Sequence, residues 1–200
     1  MTPIEHIRKI TYPKVLKPAG FSKDGIVWKK EINEHIIWLI SYDKSVIKSD
    51  DFLLSIDYGV YFNGVEELLH NSEYSIKREG LVSCIVKDSM DKDRKPNSYS
   101  FNPDSALEDL QEFVESNIKN KAIPFLQQFT TAESICQFIA NQKEKFIKSD
   151  SIVLLKLSCI YYLTGAKKEA IETVSMVIEV SKKPYPFAEN LLKKIKGNLD

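Results

Sequence analysis

Asp43 and Asp57 are the two residues of this sequence best placed to do chemistry together. Each sits in a run whose apolar residues alternate, so side chains two apart share a face. In the run from His35 to Asp43, Ile36, Trp38, Ile40 and Tyr42 take one face, and Ile37, Leu39, Ser41 and Asp43 the other. In the run from Phe52 to Phe62, the faces are Phe52, Leu54, Ile56, Tyr58, Val60 and Phe62 against Leu53, Ser55, Asp57, Gly59 and Tyr61. Both aspartates fall on the less apolar face of strands expected to be neighbours, beside Ser41 and Ser55. Paired carboxylates hold Mg²⁺ or divide the roles of acid and base. The plainer alternative is two solvated acids, or partners for Lys44 and Lys87. Trp28, Trp38, Tyr42, Tyr58, Tyr61 and Phe62 are open to two readings in the same way, as a pocket lining or as the core under the helices.

No other catalytic arrangement is visible. The seven glycines never form a dinucleotide or phosphate-loop spacing. His6, His35 and His70 are too scattered for a preformed zinc site. No serine sits in a nucleophile elbow. Cys84, Cys136 and Cys159 are odd in number, and each lies in an apolar stretch. They read as buried thiols rather than a disulfide framework or a nucleophile. The sequence therefore assigns no catalytic residue, no metal and no cofactor.

Charge gives the second lead. The chain holds 28 Lys and Arg against 28 Asp and Glu, which disfavours a generally basic nucleic-acid binder. The balance is uneven along the chain. Residues 1–30 carry seven basic against two acidic side chains, and residues 31–75 carry nine acidic against two lysines. A solvated sheet face is one account of the acidic segment. The sharper one is a binding surface of Asp43, Asp50, Asp51, Asp57, Glu66 and Glu67, with Tyr61 among them, facing a basic protein. The longest hydrophobic run, Ile36 to Ile40, is too short to span a bilayer, and the N-terminal residues show no secretory pattern. The expectation is a reduced, cytoplasmic protein without a membrane role.

These residues need elements to position them. Pro3 and Glu5, after a Thr2 cap, open a helix with the apolar stripe Ile4, Ile7 and Ile10. Pro13 should bend or restart it. Strands are predicted over Ile26–Ile32, His35–Asp43, Phe52–Phe62 and Leu81–Lys87, with short connections that make them antiparallel. Val65–Leu69 is predicted as a helical turn, and residues 91–98 as a charged loop. Asp104 or Ser105 then caps a helix through Leu107, Leu110, Phe113, Val114 and Ile118, which Pro124 interrupts. Thr130 with Glu133 caps the next, and further helices are predicted over Ser151–Leu163, Lys167–Ser181 and Pro186–Lys196.

Two stretches carry a resemblance. Leu16-Lys17-Pro18-Ala19-Gly20-Phe21-Ser22-Lys23-Asp24-Gly25, Trp28, Tyr42-Asp43-Lys44-Ser45, Phe52 to Val60, and Pro124-Phe125-Leu126 resemble a bacterial family known as domain of unknown function 4304, over about residues 5–140. Asp43-Lys44-Ser45 and Ser55-Ile56-Asp57-Tyr58-Gly59 depart from that family's Gln-Lys-Ser-like and Asn-Leu-Gly-like forms, and its Trp-rich motif is missing near Tyr99 and Phe101. The resemblance implies an α+β fold and no activity. Leu157, Ser158, Tyr161, Gly165, Ala170, Ile171 and Ile178 are similar to one tetratricopeptide repeat, over about residues 151–184. A single copy builds no solenoid groove, so its implied role is to close a core.

The sequence thus predicts an α+β protein: a four-stranded antiparallel sheet packed against helices over residues 1–129, and a helical subdomain over residues 130–200. The function expected first is non-catalytic protein binding, for instance by an immunity-type factor that neutralises a basic toxin. An enzyme or metal-binding protein using Asp43 and Asp57 is the competing expectation, and a small-ligand sensor or structural protein the third.

Overall fold

A computed structural model describes residues 3–24, 27–47, 51–70, 80–88, 98–102, 105–181 and 184–197. The expected Thr2 and Asp104 caps, Asp50 and residues 91–97 lie outside the described residues. The fold is α+β, with an antiparallel sheet packed with helices and a helical C-terminal region. The chain divides into two compact units. The first is Met1–Asn33, Ile37–Tyr61 and Ser75–Gln128; the second is Glu34–Ile36, Phe62–Tyr74 and Phe129–Asp200.

The first unit carries the sheet. Among the described residues it has six strands rather than the expected four: β1 (Ser22–Asp24), β2 (Val27–Glu31), β3 (Ile36–Val46), β4 (Phe52–Phe62), β5 (Val86–Lys87) and β6 (Ser98–Phe101), with the first residue of β3 and the last of β4 counted in the second unit. The order is β1-β2-β3-β4-β5, and β6 also pairs with β4. Lys87 and Val86 stand opposite Gly59 and Val60, whereas Phe101 to Ser98 run opposite Phe52 to Ser55. The two short strands therefore share one edge of β4. β1 escaped the sequence reading because it is three polar or charged residues long, too short for a period of two to show. The predicted strand over Leu81–Lys87 shrinks to its last two residues. Cys84 N–H donates to Leu81 O at 3.1 Å, so the apparent alternation through Val82 and Cys84 belongs to a turn.

Both prolines expected to break helices are accommodated by wider turns. α1 (Pro3–Thr11) runs into a five-residue π turn, Tyr12–Leu16, where Lys17 N–H donates to Tyr12 O at 2.8 Å. α3 (Leu107–Asn117) likewise continues through a π turn, Ile118–Ala122, into the short α4 (Ile123–Leu126). Proline offers no amide, and the wider turn re-routes the carbonyls that would otherwise lose a donor. Ile7, Val15 and Leu16 on one side and Leu110, Val114 and Ile118 on the other are buried in this unit with Trp28, Leu39, Ile40, Leu54 and Ile56. Leu39 and Ile40, adjacent on β3, point to opposite faces and are both fully buried, so the middle of the sheet is covered on both sides.

The second unit is helical: α2 (Val65–His70), α5 (Ala132–Ala140), α6 (Lys143–Ser149), α7 (Ser151–Leu163), α8 (Lys167–Val180) and α9 (Pro186–Lys196). The cap of α5 is Thr131, not Thr130. Its hydroxyl accepts from Ser134 N–H at 3.2 Å, and Ser134 closes the box in place of Glu133. α7 and α8 form a hairpin around Ala170, which is fully buried, and Ser158 Oγ donates to Ala170 O at 2.8 Å. The hydroxyl inside α7 thus ties the two helices together at their closest point. α2 belongs to this unit rather than to the sheet half, where a boundary at residue 130 would put it. Lys194 Nζ donates to Leu68 O at 2.7 Å, and Lys156 Nζ lies 2.7 Å from Glu66 Oε1.

Candidate functional site

Asp43 and Asp57 line one cleft of about 600 Å³ in the sheet unit, with Arg8, Ser41, Tyr42, Tyr58, Leu81, Val82, Lys87 and Asp88. The period of two brings this about. Ser41 and Asp43 leave β3 on the same side, and β4 lies beside β3 with Asp57 half-buried on it. Asp43 is exposed, and its Oδ1 accepts from Lys44 N–H at 2.9 Å, which fixes the carboxylate at the rim. Asp88, directly after β5, is only 5% exposed. Three carboxylates therefore meet two cations in this cleft. One cation is partly committed, since Lys87 Nζ donates to Val82 O at 2.9 Å.

Tyr42 and Tyr58 are buried, at 7% and 3% exposure. Burial raises the Tyr42 phenol pKa; the neighbouring Thr11 hydroxyl and the charge of Arg8 pull the other way, and Glu115 adds to the rise. Tyr42 therefore serves as a neutral wall and not as a base at neutral pH. Its ring lies 4.6 Å from that of Trp28, and Tyr58 packs edge-on against Phe125 at 5.4 Å. These contacts hold the aromatic side of the cleft in place.

The other acids expected at a binding surface do not gather here. Glu66 is 6% exposed and ion-paired inside the helical unit, so it is no surface charge. The reason is local: α2 presents one of two adjacent glutamates inward, and Lys156 awaits it. Tyr61 is likewise buried, at 5%. Glu67 is exposed on α2 and Asp51 is half-buried before β4, while Asp50 lies outside the described residues. Arg8 and Asp88 are the charged cleft residues that sequence reasoning missed, whereas Lys87 was named as a possible partner for the two aspartates. The Lys87-Asp88 pair at the end of an apolar strand was the available signal.

Among the described residues no three His, Cys, Asp and Glu side chains gather to hold a metal ion. All three cysteines are buried. Burial, with a smaller contribution from Glu133, pushes the Cys136 thiol from an ordinary 9.0 up to about 12. Burial, then Glu66, does the same to Cys159, up to about 12, against the charges of Lys194 and Lys156. A neutral thiol is a poor nucleophile. Native protein should therefore react slowly with a thiol reagent and fully after denaturation. Because folding raises both thiol pKa values, their share of stability is intact below about pH 9 and lost as pH rises toward about 12. Unfolding midpoints should fall across that window, and less steeply after Cys159→Ala; an unchanged slope would mean that the thiol is not buried in solution.

No helix among the described residues is long and apolar enough to cross a membrane. No protein-family profile matches the chain, and neither a curated protein nor a solved structure matches it significantly.

Proposed function

We propose that the chain is a non-catalytic binding protein whose Asp43–Asp57 cleft receives a basic group of a protein partner. The observation that carries this reading is the convergence of Asp43, Asp57 and the buried Asp88 on one cleft that Leu81 and Val82 also line. A lysine or arginine side chain has the matching chemistry: an apolar stem for Leu81 and Val82 and a cationic head for the carboxylates. A partner with a basic surface, such as the toxin of an immunity-type pair, would present such a group.

The test is titration of arginine- and lysine-containing peptides against the intact chain at low and high salt. Asp57→Asn keeps the shape and removes the charge. It should weaken binding about tenfold, the loss of roughly one charge-assisted bond, with an unchanged unfolding midpoint. Glu67→Lys, outside the cleft, should leave the affinity alone. Equal binding by wild type and Asp57→Asn would refute the assignment. A hydrolytic activity abolished by Asp57→Asn would move it to the enzyme reading.

A further inference from the structure

A second cleft, of about 690 Å³, opens in the sheet unit between the α1 end and the β1–β2 hairpin. It is lined by Arg8, Lys9, Tyr12, Pro13, Lys17, Ser22, Lys23 and Trp28. Four of these residues are cations and none is an acid. All four are exposed around an open cleft, and like charges gathered there repel one another while their fields add. Neighbouring lysines answer this with partners. Lys29 Nζ lies 3.3 Å from Asp24 and 3.0 Å from Glu31, and Lys14 reaches Glu115 at 4.0 Å. Among the described residues Arg8, Lys9, Lys17 and Lys23 form no such ion pair. The two groups of lysines occupy one short stretch of chain, so composition does not explain the difference.

Trp28 supplies an independent sign. Trp28 is among the residues lining the cleft at 2% exposure, and its Nε1–H is buried without a hydrogen-bond acceptor. A buried donor left unmatched is costly, and an indole N–H can only donate. Ser22 adds a hydroxyl at the rim, and Tyr12 a half-buried ring. Everything polar that faces this cleft from a side chain can donate a proton, and the four charged groups can do nothing else.

We propose that this cleft is an anion site for a small, multiply phosphorylated molecule. Several phosphate oxygens would answer several cations at once, and a volume of this size suits a nucleotide-sized ligand. A single carboxylate would leave most of the charge unanswered. A nucleic-acid strand calls for a basic track, whereas these cations surround one bounded cleft in a chain of zero net charge.

The probes are sodium tripolyphosphate, ATP and adenosine, each added to the full chain and followed by calorimetry and thermal unfolding. Tripolyphosphate and ATP should bind and raise the unfolding temperature; adenosine, which lacks phosphate, should not. The Lys17→Ala/Lys23→Ala variant should keep its fold and lose about tenfold or more in affinity for both. Lys29→Ala removes a paired cation outside the cleft and should bind as wild type. Absence of binding by both phosphate probes would overturn the proposal, as would binding that survives the double substitution or falls equally in Lys29→Ala. A single-stranded oligonucleotide that binds far more tightly than ATP would also overturn it, in favour of a nucleic-acid track. Arg8 lines both clefts, so Lys17 and Lys23, which line this one alone, separate the two: the Lys17→Ala/Lys23→Ala variant should keep peptide binding at the carboxylate cleft.

Discussion

Lys156→Met alone is expected to cost about 3–5 kcal/mol of stability, more than any surface change in this chain. The Lys156 ammonium lies 2.7 Å from Glu66 Oε1, and the two side chains are 9% and 8% exposed. Among the described residues, removing the cation leaves the buried carboxylate with His70, 3.4 Å away and able to pair with it only when protonated. Glu66→Lys should be as damaging or worse, because it sets two ammonium groups against each other in the same buried space. The double variant Glu66→Leu/Lys156→Met should recover most of the loss, since an apolar pair needs no solvation. Urea unfolding followed by helical circular dichroism measures all four chains. Two compact units need not unfold together, so the helical transition is the one to compare. A Glu66→Lys variant with the wild-type midpoint would show that the pair is not buried in solution.

That expectation reverses what the sequence suggests about Glu66. Adjacent acids, Glu66-Glu67, read as a solvated pair on a short helical turn, and nothing nearby contradicts it. The contradiction lies far along the chain, in one lysine within the apolar run Ile152–Ile160 of α7. A lone cation in a buried helix needs a partner, and that was the trace available in the sequence. The elements that could be read directly are those with long periodic or apolar runs. β4 spans Phe52–Phe62 as its alternation predicts, and α7 spans Ser151–Leu163, legible from a long apolar run that is buried nearly all round. β1 and β5 are held by their neighbours across the sheet, and three or two residues contain no period to read. The pairing of Asp43 with Asp57 in one cleft was legible for the same reason as β4: alternation settles the face. Arg8 and Asp88 were not, since they reach the cleft from a helix and from a two-residue strand whose placement no local pattern specifies.

Gly59→Ala tests the packing at that edge, and its expected cost is about 3 kcal/mol or more. Gly59 needs no unusual backbone angle; what it needs is room. A Cβ there would stand 2.7 Å from the Val86 carbonyl oxygen and 2.9 Å from both Cβ and Sγ of Cys84. The oxygen cannot move aside cheaply. Val86 is held opposite Val60 in the ladder, and Ile85 N–H donates to Val60 O at 2.8 Å. Any relief must therefore pull β5 away from β4 or bend β4 itself. Cys84→Ala in the same chain removes only the sulfur contact and should restore a small part of the loss. Gly165→Ala provides the contrast. Its φ of +86° strains an alanine, but nothing lies within 4 Å of the added carbon. Its cost should be about 1–2 kcal/mol, the ordinary price of a left-handed residue. Because Lys87 faces Gly59 across the ladder and Asp57 lies two residues before it, Gly59→Ala should also weaken peptide binding at the carboxylate cleft. Equal unfolding midpoints for the two alanine variants would mean that β4 and the turn before β5 do not approach so closely, and the cleft walls would then have to be redrawn.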